Sequence, residues 1–200
     1  MPRGGTDSET TRKRILGVST RLFAELGYEG VAMRQITREV GVTLPTVYHH
    51  FGSKEELFKA VETELYGSHA ESLLEDLHED ASAEERLRNF INHLLDRFEE
   101  NPDYFKLVQR NLIEPREENQ KFLVKVSLQS LYDELKVLLN SYKQGAGDNM
   151  GPVILFSTII GFLTMRPAVQ VLKGYPYRKR NRGEERRRFV DITINSIEAW

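Results

Sequence analysis

Apolar residues recur along most of this chain at spacings of three and four, the period of a helix with one buried face. Ile15, Val18, Leu22 and Leu26 keep to it, with Phe23 beside them, and Gly27 stands where a helix end favours a positive φ. A second, short helix is predicted over Met33 to Val40, burying Ile36 and Val40, before a tight turn at Gly41-Val42. Thr43 can cap a third helix running through Phe51, with Pro45 tolerated because it falls in the first turn. Ser53-Lys54-Glu55-Glu56 then has the pattern of a capping box and opens a fourth helix through Leu57, Phe58, Val61 and Leu65.

Beyond residue 66 the segments lengthen. Ser82, Glu84 and Glu85 start a helix carrying Leu87, Ile91, Leu94 and Phe98, which Asn101-Pro102 ends. A shorter helix runs from Asp103 to Glu114 and stops at Pro115. From Asn119 to Tyr142 the positions Val124, Leu128, Leu131, Leu135, Leu138 and Tyr142 form a one-sided stripe, closed by Gly145-Ala146-Gly147. Val153 to Met165 is apolar all round, but Arg166-Pro167 ends the run well short of the roughly 20 residues that a membrane span needs. It reads as a helix buried against other protein, and no membrane partner is expected. A basic loop and a last helix with Phe189, Ile192, Ser196 and Trp200 on one side complete the chain. Strand alternation and internal repeats are absent, so the expected class is all-α.

Composition narrows this picture little. Of 200 residues 40% are hydrophobic and 29% charged, ordinary for a globular protein, and the net charge of −2 gives no hint of nucleic acid. With no cysteine there is no disulfide framework or thiol chemistry, and a reducing compartment is the natural home. The polar start MPRGGTDSE lacks the apolar stretch of a signal peptide, which points to the cytoplasm. Charge is unevenly spread, however. Residues 1–54 hold 8 Lys/Arg against 5 Asp/Glu, residues 67–120 hold 6 against 14, and residues 121–200 hold 13 against 7. A modestly basic N-terminal part therefore precedes an acidic middle.

That basic part contains two short helices joined by a tight turn with a Gly in it, the spacing of a helix-turn-helix. Ile36, Val40, Val42 and Val47 pin the two helices together, leaving Thr46, Tyr48 and His49 outward, with His50 divided between contact and packing. Thr offers a hydroxyl and a methyl to a groove, while Tyr and His reach phosphate oxygens or base edges. Arg34 and Lys54, each at a helix start, are placed to straddle the backbone. The stretch from Arg12 to Val61 resembles the DNA-binding domain of TetR-family transcriptional regulators. The resemblance is carried by Leu22-Phe23-Ala24-Glu25-Leu26-Gly27-Tyr28, Ile36, Gly41-Val42, Thr46-Val47-Tyr48, His50-Phe51 and Ser53-Lys54-Glu55. It departs from the family at Ala32, where a capping Ser or Thr is usual, at Thr37, usually Ala, and at Pro45, commonly Gly.

The resemblance implies a three-helix helix-turn-helix domain over residues 1–53 and a larger helical bundle over 54–200 for ligand binding and dimerisation. It further implies a homodimer on a palindromic operator in double-stranded DNA, touched through Arg34, Thr43, Pro45, Thr46, Tyr48, His49 and Lys54. The implied mechanism is a small-molecule effector altering the separation of two reading heads about 34 Å apart. For that effector the sequence offers the helix from Asp103 to Glu114, with Phe105, Val108 and Leu112 on one side and Gln109 and Arg110 beside them. The competing reading there is plain core, with Arg110 in a salt bridge. By resemblance the apolar helix Val153 to Leu172 and the last helix supply the dimer interface, Gly161 allowing close approach.

No catalytic constellation, phosphate loop or cofactor motif is evident, and no enzymatic activity is expected. Glu75-Asp76-Leu77-His78 has the spacing of one carboxylate-bundle metal motif, but a second is missing, so it reads as a solvated acidic face. His69 and His93 read as satisfied or exposed rather than as ligands. The basic run Arg178-Lys179-Arg180-Asn181-Arg182 with Arg186-Arg187-Arg188 is either a solvated loop or the mouth for an anionic, acyl-bearing ligand. The sequence thus points to a DNA-binding regulator, and to a repressor released or modulated by a small apolar or amphipathic ligand. Two alternatives stand beside it: a constitutive DNA-binding factor, and a helical-bundle enzyme with a degenerate helix-turn-helix.

Overall fold

The computed structural model describes residues 4–78, 80–114, 116–177 and 181–199. Arg178, Lys179 and Arg180 of the basic run, the stop at Pro115 and Trp200 lie outside the described residues. The elements are α1 (Gly4–Gly30), α2 (Met33–Val40), α3 (Leu44–Phe51), α4 (Lys54–Leu77), α5 (Ala83–Glu100) and α6 (Pro102–Ile113). Next come α7 (Glu117–Leu123), a π-helical stretch Val124–Leu128, α8 (Gln129–Tyr142), α9 (Gly151–Val169) and α10 (Arg182–Ile197). No strand occurs among the described residues, and the all-α class holds.

The chain forms two compact units, one of Met1–His69 with Phe98–Val126, the other of Ala70–Arg97 with Ser127–Trp200. In the first, α1 packs against α2 and α6, α2 against α3, and α6 against α7. Its core holds Ile15, Leu22, Phe23, Ile36, Val47, Leu57, Phe58, Tyr66 and Leu107, each nearly or wholly removed from solvent. Gly27 interrupts α1 with φ 72° and ψ 171°, a conformation that side chains rarely adopt. Leu26, expected in the core, is 43% exposed, because the break at Gly27 ends the buried stripe and the Phe23, Tyr28 and Phe58 rings fill that end.

The second unit is built on Leu87, Phe90, Ile91 and Leu95 of α5, Leu131, Leu135 and Leu139 of α8, Leu155 and Ile159 of α9, and Val190 and Ile194 of α10. Ser82 and Glu85 complete a reciprocal capping box at the start of α5: Ser82 N–H donates to the Glu85 carboxylate at 3.0 Å and Glu85 N–H to Ser82 Oγ at 3.2 Å.

Three expected faces change. The π-helical stretch adds a residue to one turn, so Leu123 and Ser127 are buried while Val124 is 42% exposed. On α10 the buried side is Val190, Thr193, Ile194 and Ile197, and the expected Ile192 and Ser196 are exposed. Asp76, expected on a solvated face, is buried and bonded to His93 at 2.7 Å, while His78 pairs with Glu134 at 3.1 Å. An Asp can be placed there because the imidazole meets one of its oxygens.

Candidate nucleic-acid interface

The helix-turn-helix has the outlines that its sequence predicts, and the reasons are local. α2 buries Met33, Ile36 and Val40. Its N-cap Ala32 has the extended backbone of a cap and makes no side-chain bond, so the missing hydroxyl goes unreplaced. Gly41 closes the helix with φ 76° and ψ 37°, its N–H reaching Thr37 O at 2.9 Å. Arg14 of α1 donates to Val40 O, a second closure of the same end. Thr37, unusual for the family, turns its hydroxyl onto Arg34 O at 2.9 Å and is accommodated.

Thr43 caps α3: its Oγ1 lies 3.4 Å from Thr46 N and 2.8 Å from Thr46 Oγ1. Val47 and Phe51 face the core, Phe51 lying under the Arg12 guanidinium at 5.1 Å. Pro45, Tyr48 and His49 are exposed, and Thr46 and His50 are half-buried. At ~100° per residue, positions 45, 46, 48 and 49 fall on one continuous outward arc opposite Val47 and Phe51. The structure therefore brings together four of the seven expected DNA-contact residues on one helix face. Thr43 is exposed at the start of that helix and Arg34 is exposed on α2.

Lys54 differs from expectation in detail. It opens α4, but its ammonium rests 4.4 Å from the centre of the Tyr28 ring. Burial, and more weakly the nearby Arg116, draw its pKa below the ordinary lysine value, while Glu29 pulls the other way. Ser53 Oγ accepts from Glu56 N–H at 3.0 Å, which caps α4 just beyond α3.

The expected effector residues of α6 do not converge. Phe105 packs on Phe98 with ring centres 4.9 Å apart, Val108 is buried and Leu112 is 45% exposed. Gln109 and Arg110 do share a cleft of about 480 Å³, together with Ala24, Glu25, Lys106, Ile113 and Glu114. Arg110 is engaged within it. Its Nε donates to Ala24 O at 2.9 Å, Nη2 to Glu25 O at 2.7 Å and Nη1 to Glu114 at 2.8 Å. Those two carbonyls belong to the last turn of α1 before Gly27, where a helix end leaves oxygens without intrahelical partners. A Cβ on Gly27 would stand 2.9 Å from Arg110 Nη1, so the glycine leaves room for this anchor as well as allowing the bend.

Two groupings escaped the sequence reading. Glu62 of α4 is fully buried, and Asn111 of α6 donates its amide both to the Glu62 carboxylate and to Tyr66 Oη, the latter at 2.8 Å. Burial pushes the Glu62 carboxyl up to about 7, against the pull of the Asn111 bond, and its second oxygen has no hydrogen-bond partner. Around Tyr28, Arg116 stands 3.9 Å from the ring centre, and Tyr28 Oη donates to Glu55 at 3.2 Å. A periodic pattern marks Glu62 only as an interruption of an apolar face. Nothing in the sequence links Tyr28 to Arg116 across 88 positions.

Residues 15–61 match the family model of bacterial regulatory proteins, tetR family. The HTH-type transcriptional repressor AcnR of Corynebacterium efficiens is 38% identical over 72 residues, which are 36% of this chain and 38% of that protein. The HTH-type transcriptional regulator UidR of Escherichia coli K12 is 38% identical over 56 residues, 28% of this chain and 29% of UidR. The chain thus spans less than two-fifths of the length of these curated relatives in its matches. Among solved structures, the TetR family transcriptional regulator PfmR from Thermus thermophilus superposes with a TM-score of 0.68 at 21% identity, over 91% of this chain and 97% of that one. The fatty acid degradation regulator FadR from Bacillus halodurans gives 0.71 at 18% identity, over 94% of both chains. At such identities these likenesses establish the fold. Together with the matched residues and the α2–α3 geometry, they lead to one statement: residues 15–61 form a helix-turn-helix domain similar to that of the tetR family of bacterial regulatory proteins, within a chain of the same fold as solved members.

Proposed function

We propose that this chain is a cytoplasmic, homodimeric transcriptional repressor that reads a palindromic operator in double-stranded DNA and is released by a small apolar or amphipathic effector. Residues 1–53 read DNA, and residues 54–200 pair the subunits and sense the effector. The observation that carries the reading is the outward arc of α3, where Pro45, Thr46, Tyr48 and His49 stand clear of the core on a helix fixed by Val47 and Phe51. Arg34, Thr43 and Lys54 flank it as backbone contacts. AcnR, a relative of the DNA-binding part, is named a repressor, which supports the sign of regulation. No step of this function needs a catalytic group or a cofactor.

Pairing is supported by α9 and α10. Val153, Ile154 and Met165 of α9 are exposed, as is Ile192 of α10. A Cβ built on Gly161 meets nothing within 4 Å, consistent with a close helix approach there. A second copy would cover this apolar surface. By length and composition α9 would also suffice to cross a membrane. Arg166 within it, buried against Glu185 at 2.7 Å, suits a protein neighbour better than lipid.

Selection of bound fragments from genomic DNA tests the reading: a shared inverted repeat is expected, bound far more tightly than random duplex. Equal affinity for both would overturn it. A second reading, a DNA-binding factor without an effector, is favoured by the engagement of Arg110 with Ala24, Glu25 and Glu114 of the cleft's own wall. Release of the operator complex by apolar or amphipathic compounds separates the two.

A further inference from the structure

Tyr28 is held rigidly. Its ring lies parallel to Phe23 at 6.2 Å and edge-on to the buried Phe58 at 5.2 Å, and its hydroxyl is bonded to Glu55. Against this fixed ring stand two cations from distant parts of the chain, Arg116 at 3.9 Å and Lys54 at 4.4 Å. Arg116 also pairs with Glu29 at 3.4 Å and Glu55 at 3.6 Å. It is the N-cap residue of α7, and Lys54 is the first residue of α4.

The two cations are unequal. A guanidinium is planar, weakly hydrated and able to stack on a ring while its edge serves two carboxylates. An ammonium is compact and strongly hydrated, and among the described residues nothing beyond the ring and diffuse charge fixes this one where it lies. The like charges repel, and the ion pairs of Arg116 with Glu29 and Glu55 make it the more firmly held of the two.

We propose that Arg116 is a positioning residue for DNA binding: by occupying Tyr28, Glu29 and Glu55 it keeps the Lys54 ammonium loosely held and ready to move to a backbone phosphate. This rests on the reading of Lys54 as a phosphate contact. When DNA arrives, Lys54 exchanges the ring for a phosphate oxygen and Arg116 remains. Without Arg116 the ring and both carboxylates fall to Lys54, which then leaves them at a cost.

The test is the salt dependence of binding to a fluorescein-labelled duplex of random sequence, with the full chain carrying K54A, R116A, R116K or both alanines. K54A should lower the slope of log affinity against log salt by about 0.9 per bound subunit, one phosphate contact. R116A should weaken binding about two- to fivefold and lower the slope too, with the double variant no worse than K54A alone. R116K, which keeps the charge but not the planar fork, should fall between R116A and the native chain. R116A with an unchanged slope, or an additive double variant, would overturn the inference while leaving Lys54 a contact. An unchanged slope in K54A would overturn the phosphate contact itself, and the inference with it. Should R116A not fold, R116K and Y28F decide: Y28F keeps the ring and is expected to retain the native slope, and the inference fails if R116K binds as the native chain does.

Discussion

Thr46 and Lys54 lie close in sequence but, under the proposed function, divide the work of recognition differently. Thr46 stands within the outward arc with its hydroxyl bonded to Thr43, so a base edge must compete with that neighbour. Thr46→Ala is expected to relax sequence preference while leaving the salt dependence of binding unchanged, in a comparison of selected and random duplexes. Ala32 offers a test of stability at the same scale. Its backbone already has the extended cap conformation, and it makes no side-chain bond to the helix. Ala32→Ser should stabilise the chain by about 0.5–1 kcal/mol and raise the melting temperature by about 1–4 °C, read by thermal unfolding. Both positions were legible in the sequence because caps and turns depend on residues only a few places apart. Arg110 was legible only as two alternatives. Its carbonyl partners lie 85 and 86 positions away, and no local pattern announces them.

Between elements, the contact of α4 with α6 contains the most consequential polar group. Glu62 is buried beside Asn111 and Tyr66, with Glu55, Lys59 and Arg116 acting on it from further off. Its carboxyl titrates near 7 in the folded chain and near the ordinary value of 4.5 when unfolded. Between those values the folded state holds a proton that the unfolded state has released. Stability from this group is therefore full at low pH and is lost as pH rises from the unfolded value through the folded one, by roughly 3 kcal/mol in total. Glu62→Gln should remove that slope and leave the variant more stable than the native chain near pH ~8. Denaturant titrations at several pH values would show it, and parallel profiles for the two proteins would refute it. Arg110→Ala, which strips two α1 carbonyls and Glu114 of their donor, should cost about 1–3 kcal/mol, measured by the same titrations. Helical identity was readable from period and punctuation, except that the single helix expected over Asn119–Tyr142 is divided by the π-helical stretch Val124–Leu128. Register was not always so: the π-helical stretch moves Leu123 inward and Val124 outward, because one extra residue in a turn rotates the helix before it relative to the helix after it.

For the whole molecule, charge and apolar surface are distributed rather than averaged. The proposed reading part is only modestly basic, so under the proposed function weak non-specific binding and discrimination through paired half-sites are expected. The proposed pairing surface is exposed on α9 and α10. A double substitution there, Ile154→Glu with Met165→Glu, should yield monomers in sedimentation and abolish tight operator binding without unfolding the chain. The sequence marked α9 as apolar all round, which left open what covers each side. The structure assigns Leu155, Ile159 and Leu163 inward and leaves Val153, Ile154 and Met165 bare. On α10 the expected stripe was partly the exposed one, since Ile192 and Ser196 keep the helical period as well as the buried set does.

That bare surface has a consequence for dosage. Under the proposed pairing, a subunit alone offers DNA one weak reading head, and two must meet before the operator is held. Below the concentration at which pairs form, halving the number of chains would lower the number of pairs about fourfold. Val153, Ile154, Met165 and Ile192 would then let the cell's supply of this chain set a threshold, with genes released abruptly as it is diluted through growth.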